Sequence, residues 1–185
     1  MTSFINIALA GFLVWSGTGG GSYIEAPKNF VPAKANMESV SVRLTGYNAL
    51  PEQTDNDSEI TASGARSNPA VIAARSRDMA DMLPYGTVIS IEAPKNSISC
   101  GFNEVEHLVG YRVIADSMSA RKLRQIDLMF DESDVVLVGG KGTNPAVAVG
   151  VCKANIRVVG RISLKDIPET QAELALMVDK KLAIK

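Results

Sequence analysis

From Val40 the chain alternates apolar and polar positions, with Val40, Val42 and Leu44 separated by Ser41, Arg43 and Thr45. This period of two predicts a half-buried strand running to Gly46-Tyr47. Five further strands are predicted where apolar and β-branched residues gather: Val71 to Ala74, Thr87 to Glu92 after the turn Pro84-Tyr85-Gly86, Tyr111 to Ala115, Ile126 to Phe130, and the alternating Ile156 to Ile162. The turn formers Pro51, Asp55, Asn56, Asp57 and Ser58 make Asn48 to Glu59 a surface loop, and Lys95 to Glu106 reads as loop too. Ser76 to Met82 suits one helical turn. Asp131 or Ser133 caps a predicted short helix through Val138, ended by Gly139-Gly140, and Lys141 to Pro145 follows as loop. Near the end, Pro168 precedes Leu174, Val178 and Leu182 at i, i+4 and i+8, an amphipathic C-terminal helix. Six short strands with few helical turns predict a mainly β fold and a small closed barrel; the crossover helices of a βαβ sheet are missing, and closure removes exposed strand edges.

The N-terminal pattern is different. Phe4 to Trp15 is apolar except for Asn6 and Gly11, and Ser16 to Ser22 is glycine-rich. Such a run is shorter than the roughly 20 residues of a membrane span and suits the apolar region of a signal peptide. No Lys or Arg precedes it, and no small-x-small cleavage site directly follows. Residues 1–37 are therefore expected to be a signal-like or membrane-anchoring segment with a flexible tether extending through Pro27 and Pro32. A buried N-terminal strand or helix is the second reading. Residues 38–164 form the expected barrel domain and 165–185 the terminal helix. With 185 residues, 46% hydrophobic content and 21% charged, the chain is long enough for one core without metal or disulfide support. A net charge of −1 and only 5% aromatics argue against nucleic acid as a partner, despite the local basic cluster Arg121, Lys122 and Arg124.

Candidate chemistry centres on Tyr111 to Phe130. Asp116 stands at the exit of one predicted strand and Asp127 inside the next, eleven residues on, with a small, basic connector between them that can turn the chain and bring both carboxylates to one cleft. On residue types alone, both also suit the capping of turns through backbone hydrogen bonds. The single histidine, His107, has no second imidazole nearby and reads as a structural group rather than a ligand or base. Asp55-Asn56-Asp57 begins like a calcium loop but lacks the following Gly and distal Glu, so a solvated acidic loop is expected. Cys100 and Cys152 lack the spacing of a zinc site; export would leave both a bridge and two free thiols open, whereas a cytosolic protein is expected to keep them as free, partly buried thiols.

Several ordered motifs resemble a known family. Thr45-Gly46-Tyr47-Asn48, Ile60-Thr61-Ala62-Ser63-Gly64, Ile72-Ala73-Ala74 with Asp78 behind it, Leu83-Pro84-Tyr85-Gly86-Thr87, Val113-Ile114-Ala115-Asp116-Ser117-Met118 and Gln125-Ile126-Asp127 are similar to the three-aspartate (3D) domain. That domain occurs alone in bacterial cell-wall proteins and within membrane-bound lytic transglycosylase A. The resemblance spans roughly Val40 to Ile162. It implies a six-stranded double-psi β-barrel in which Asp78, Asp116 and Asp127 are the three aspartates. Arg75-Ser76-Arg77 separate Asp78 from the strand it directly follows in the family, which makes Asp81 the alternative. Ser117-Met118-Ser119-Ala120 replaces the Thr-Gly-Gly-Ala of many members, with Ser117 keeping a hydroxyl.

The implied activity is lytic cleavage of peptidoglycan glycan strands outside the cytoplasm, with a 1,6-anhydro product and no cofactor or metal. Asp116 is then expected as acid/base, Asp127 as its electrostatic or hydrogen-bonding partner, and Asp78 as a polar anchor. Tyr47, Thr61, Ser63 and Ser117 are expected contacts to sugar or backbone. Crowded carboxylates repel each other and raise one pKa, which prepares such an acid. The alternative is a non-catalytic glycan- or protein-binding module of an envelope or virion assembly.

Overall fold

The computed structural model describes residues 30–34, 38–50, 58–92 and 100–182. The apolar run Phe4 to Trp15, its glycine-rich sequel and the calcium-like Asp55-Asn56-Asp57 lie outside the described residues. In chain order the strands are β1 (Val31–Pro32), β2 (Val40–Asn48), β3 (Ile72–Arg75), β4 (Thr87–Glu92), β5 (Tyr111–Ser117), β6 (Gln125–Phe130), β7 (Val136–Val138), β8 (Lys141–Thr143) and β9 (Cys152–Arg161). The helices are α1 (Phe102–Val109), α2 (Pro145–Ala148) and α3 (Gln171–Leu182), with 3-10 turns at Arg77–Met79 and Leu164–Asp166.

Six strands close a barrel in the order β2-β6-β3-β5-β4-β9 and back to β2. The pairs β2 with β6 and β3 with β5 are parallel and the other four antiparallel, an order consistent with double-psi winding. The fold is thus mainly β with short helices and a C-terminal helix, and all six predicted barrel strands are present.

Alternation sorts the side chains into two cores. Inward positions Val42, Leu44, Ala73, Ile89, Ile114, Ile126, Leu128, Ala154 and Ile156 fill the barrel, and Phe102, Val105, Val109 and Val149 from the α1 and α2 region join them. Outward positions Tyr47, Ala74, Val113, Ala115 and Met129 pack with Leu174, Met177 and Val178 of α3 in a second core. Full burial of a Leu or Ile stabilises by about 1.5–3 kcal/mol, so both faces are energetically committed. Arg112 is buried, and its guanidinium donates to the carbonyls of Leu108, Val109, Pro69, Ile72 and Met129, so its charge closes off the C-terminal end of α1. Burial pulls its pKa down to about 10, which leaves it charged at neutral pH.

Four segments differ from the sequence reading. The expected helix ending at Val138 is instead a hairpin of β7 and β8, because Gly139 and Gly140 both take positive φ (57° and 79°) and form the two-residue turn that reverses a strand pair. Asp131 caps only a local turn, accepting from the Ser133 N–H and hydroxyl. Within the expected loop Lys95 to Glu106, Phe102 starts α1, whose Phe102, Val105 and Val109 are buried at i, i+3 and i+7; His107 lies exposed in its last turn. After β8, Asn144 caps α2 by accepting from the Ala146 N–H, with Pro145 at the first helical position. The tether's far end is ordered: Val31–Pro32 pairs with β9, and the Phe30 ring covers Gly160, where a Cβ would lie 2.3 Å from Phe30 Cζ.

Cys100 and Cys152 form a disulfide with their Cα atoms 5.3 Å apart, tying the residue before the α1 cap to the start of β9. Among the described residues, no helix is long and apolar enough to cross a membrane.

Candidate functional site

The two aspartates of the central stretch meet across one small residue. In the ladders Thr45 of β2 is opposite Asp127 of β6, Asp127 is opposite Ala74 of β3, and Ala74 is opposite Asp116 of β5. Residues opposite each other share a face, so Thr45, Asp127, Ala74 and Asp116 form one row on the outside of the barrel. Two strand spacings separate the aspartate backbones, roughly 10 Å, with Ala74 between them.

Simple alternation does not place Asp116 in this row. Along β5 it has the parity of Ile114, which points into the barrel. The register with β3 slips, pairing Ala73 with Ile114 but Ala74 with Asp116, so Ala115 is the extra residue of a β-bulge. The bulge turns Asp116 to the outer face.

Each carboxylate has a distinct environment. Asp116 accepts three hydrogen bonds: from the Tyr47 hydroxyl to Oδ2 (2.8 Å), and from the Ala62 and Ser117 N–H groups to Oδ1 (2.9 and 2.8 Å). Asp127 accepts from the Thr45 hydroxyl at Oδ1 (2.7 Å), and Thr45 Oγ1 in turn accepts from Gln125 Nε2 (2.8 Å). Burial raises the Asp127 pKa from its ordinary value; the Thr45 hydrogen bond and the Lys122 charge oppose this, and the Asp116 charge adds to it. Tyr47 feels both carboxylates. Burial first, then the Asp116 charge and hydrogen bond, then the Asp127 charge, push its pKa well above the usual phenol value. The site therefore sets a carboxyl whose proton is held more tightly than usual beside a second that accepts three hydrogen bonds.

The other expected residues divide. Tyr47 and Ser117 are in the site, Tyr47 through its hydroxyl and Ser117 through its backbone N–H. Thr61 and Ser63 form the turn beside it: Thr61 Oγ1 donates to the Ala65 carbonyl (3.0 Å), its oxygen lies 3.0 Å from the Ser63 hydroxyl, and Ser63 Oγ accepts from the Ala65 N–H (3.3 Å). That turn presents the Ala62 N–H to Asp116, so their visible role is to shape the loop. Asp78 is not joined to the other two aspartates. Exposed on the turn after β3, it accepts from the Arg124 N–H (3.0 Å), whose residue holds a left-handed φ of 47°. A Ser76 hydrogen bond lowers its pKa most; burial opposes this, and the Arg124 backbone contact and charge add to the lowering. Ser76 Oγ also accepts from the Gln125 N–H, so Asp78 and Ser76 together hold the start of β6, the strand that carries Asp127. Asp81 is exposed.

Thr45, Gln125, Ala62 and Ala74 were not singled out from sequence. Period-two parity was the available signal for the first two: Thr45 shares a face with Tyr47, and Gln125 with Asp127. The Ala62 and Ala74 contributions are backbone and smallness, which carry no residue-type signal. A groove of about 550 Å³ lined by Ile91, Phe102, Val109, Tyr111 and Gln171 contains none of the site residues. Among the described residues, no group of three or more His, Cys, Asp or Glu converges as metal ligands do.

Fold and site together define a mainly β protein with a closed, mixed six-stranded barrel and a two-aspartate site on its outer wall. No protein-family model matches the chain, and no curated protein matches it in sequence.

Proposed function

We propose that the protein is an extracytoplasmic member of the three-aspartate domain family that cleaves peptidoglycan glycan strands by a lytic mechanism. The observation that carries this reading is the row Thr45–Asp127–Ala74–Asp116, which brings the two motif aspartates to one outward-facing site from strands that are not neighbours. The Cys100–Cys152 bridge supports an oxidising compartment.

The environments favour exchanging the roles expected from sequence. Asp127, with its raised pKa, suits the acid, and Asp116, an acceptor in each of the three hydrogen bonds described, suits the partner that polarises the site. Asp127 gives its proton to the glycosidic oxygen as the bond from that oxygen to the anomeric carbon breaks. The same sugar's 6-hydroxyl forms the new bond to the anomeric carbon, and its proton returns to Asp127. The product carries a 1,6-anhydro ring, with neither water nor cofactor consumed. Because the protonated form works, turnover falls as pH rises through the Asp127 pKa.

Purified sacculi incubated with the protein should release 1,6-anhydro muropeptides, and Asp127→Asn should abolish the release. Wild-type protein that yields no such product overturns the reading. The non-catalytic binding module is favoured by one observation, the commitment of both Asp116 oxygens to partners within the protein. Retention of the protein on sacculi without product release identifies that case.

A further inference from the structure

The hydrogen bonds around Asp127 have a direction. An amide nitrogen can only donate, so where Gln125 Nε2 meets Thr45 Oγ1 at 2.8 Å, the threonine oxygen accepts. The single Thr45 hydroxyl proton is then free for Asp127 Oδ1 at 2.7 Å. Gln125 is buried at 2% exposure on β6, two residues before Asp127, and Thr45 is fixed opposite Asp127 by the β2–β6 ladder. Neither side chain is placed by chance rotation on a surface.

We propose that Thr45 and Gln125 are positioning residues for Asp127: they hold Oδ1 as a hydrogen-bond acceptor and leave Oδ2 as the oxygen that carries the exchangeable proton. For the lytic reaction this selects which oxygen faces the leaving group, and to that extent it rests on Asp127 being the acid. The relay acts on a carboxyl that also faces Lys122 from the loop before β6, Asp116 from β5 and Tyr47 from β2. Substitutions at Thr45 leave these three charged or titratable neighbours in place, so a change in Asp127 titration reports the hydroxyl itself.

The test is the Asp127 carboxyl titration, followed by carbon NMR in the full chain for the wild type, Thr45→Val and Thr45→Ser. A hydroxyl that donates to the carboxylate favours the ionised form, so Thr45→Val is expected to raise the midpoint by about one pH unit and Thr45→Ser to restore the wild-type value. A midpoint that falls in Thr45→Val overturns the proposal, because it means that the neutral acid donates from Oδ1 to Thr45 with Gln125 accepting. An unchanged midpoint overturns it as well. The wild type supplies a second readout independent of the variants' folding: the Gln125 side-chain amide resonances should shift with the Asp127 midpoint, and resonances that ignore it overturn the relay. The glycan-cleaving reading is judged separately by sacculus products. A protein with the expected titrations and no anhydro product has the relay without the activity.

Discussion

Burial raises the Asp127 pKa, so the folded state holds this proton more tightly than the unfolded chain does. The resulting linkage has one sign: stability is greatest below the unfolded pKa near 4 and declines as pH rises from there through the folded value. Asp127→Asn removes that decline. Thermal melts should show the variant more stable than wild type at pH 7, by about 3 °C for each kcal/mol of relief in a chain of this size, with the advantage gone at pH 3. Gained stability together with lost glycan cleavage is the pattern of a functional acid kept at a cost to folding. Asp78 has the opposite sign. Its lowered pKa contributes stability that is present at neutral pH and lost as pH falls through the folded value, so Asp78→Asn should be slightly less stable than wild type at pH 7 and equal to it in strong acid. These opposite trends separate the aspartate of the site from the one that holds the β6 start.

At the level of elements, the Cys100–Cys152 bridge constrains α1 and β9 across a separation of 52 residues. Chain-entropy arguments for a loop of that length give about 4 kcal/mol of stabilisation. Denaturant titration of the Cys100→Ala, Cys152→Ala double variant should show a loss near that size without a change of fold, and reduction of the wild type should reproduce it. Alkylation of two thiols in the native protein before any reduction would contradict the bridge. The turn from Tyr85 into β4 depends on one residue: Gly86 has a φ of 85°, donates its N–H to the Ile114 carbonyl, and would place a Cβ 2.2 Å from the Ile162 carbonyl oxygen. Gly86→Ala is therefore expected to cost at least about 2 kcal/mol, read as a lower denaturant midpoint at unchanged slope.

For the whole molecule, barrel closure depends on pairings between distant parts of the chain: β2 finds β6 some 82 residues away, and β9 must return to both β2 and β4. Stopped-flow refolding should accordingly give relaxations of milliseconds to seconds rather than microseconds, as loop closure precedes the contacts that reward it. The same distances explain what could be read in advance. The sequence by itself determined the strands, because period-two burial and β-branched runs are local properties; their number and the absence of crossover helices pointed to a closed barrel, whose pairings only the tertiary structure decided. It also contained Asp116, Asp127 and Tyr47 in recognisable strings. The hairpin after Val136 was misread because Gly-Gly ends a helix as readily as it reverses a strand, and only pairing distinguishes the two. Tertiary structure alone decided the site. The β-bulge at Ala115 turns Asp116 outward against its parity, the β3 register puts Ala74 between the carboxylates, and Asp78 is drawn to Arg124 instead. Each of these depends on which strand lies alongside which, a relation between residues far apart in the chain that no local pattern encodes.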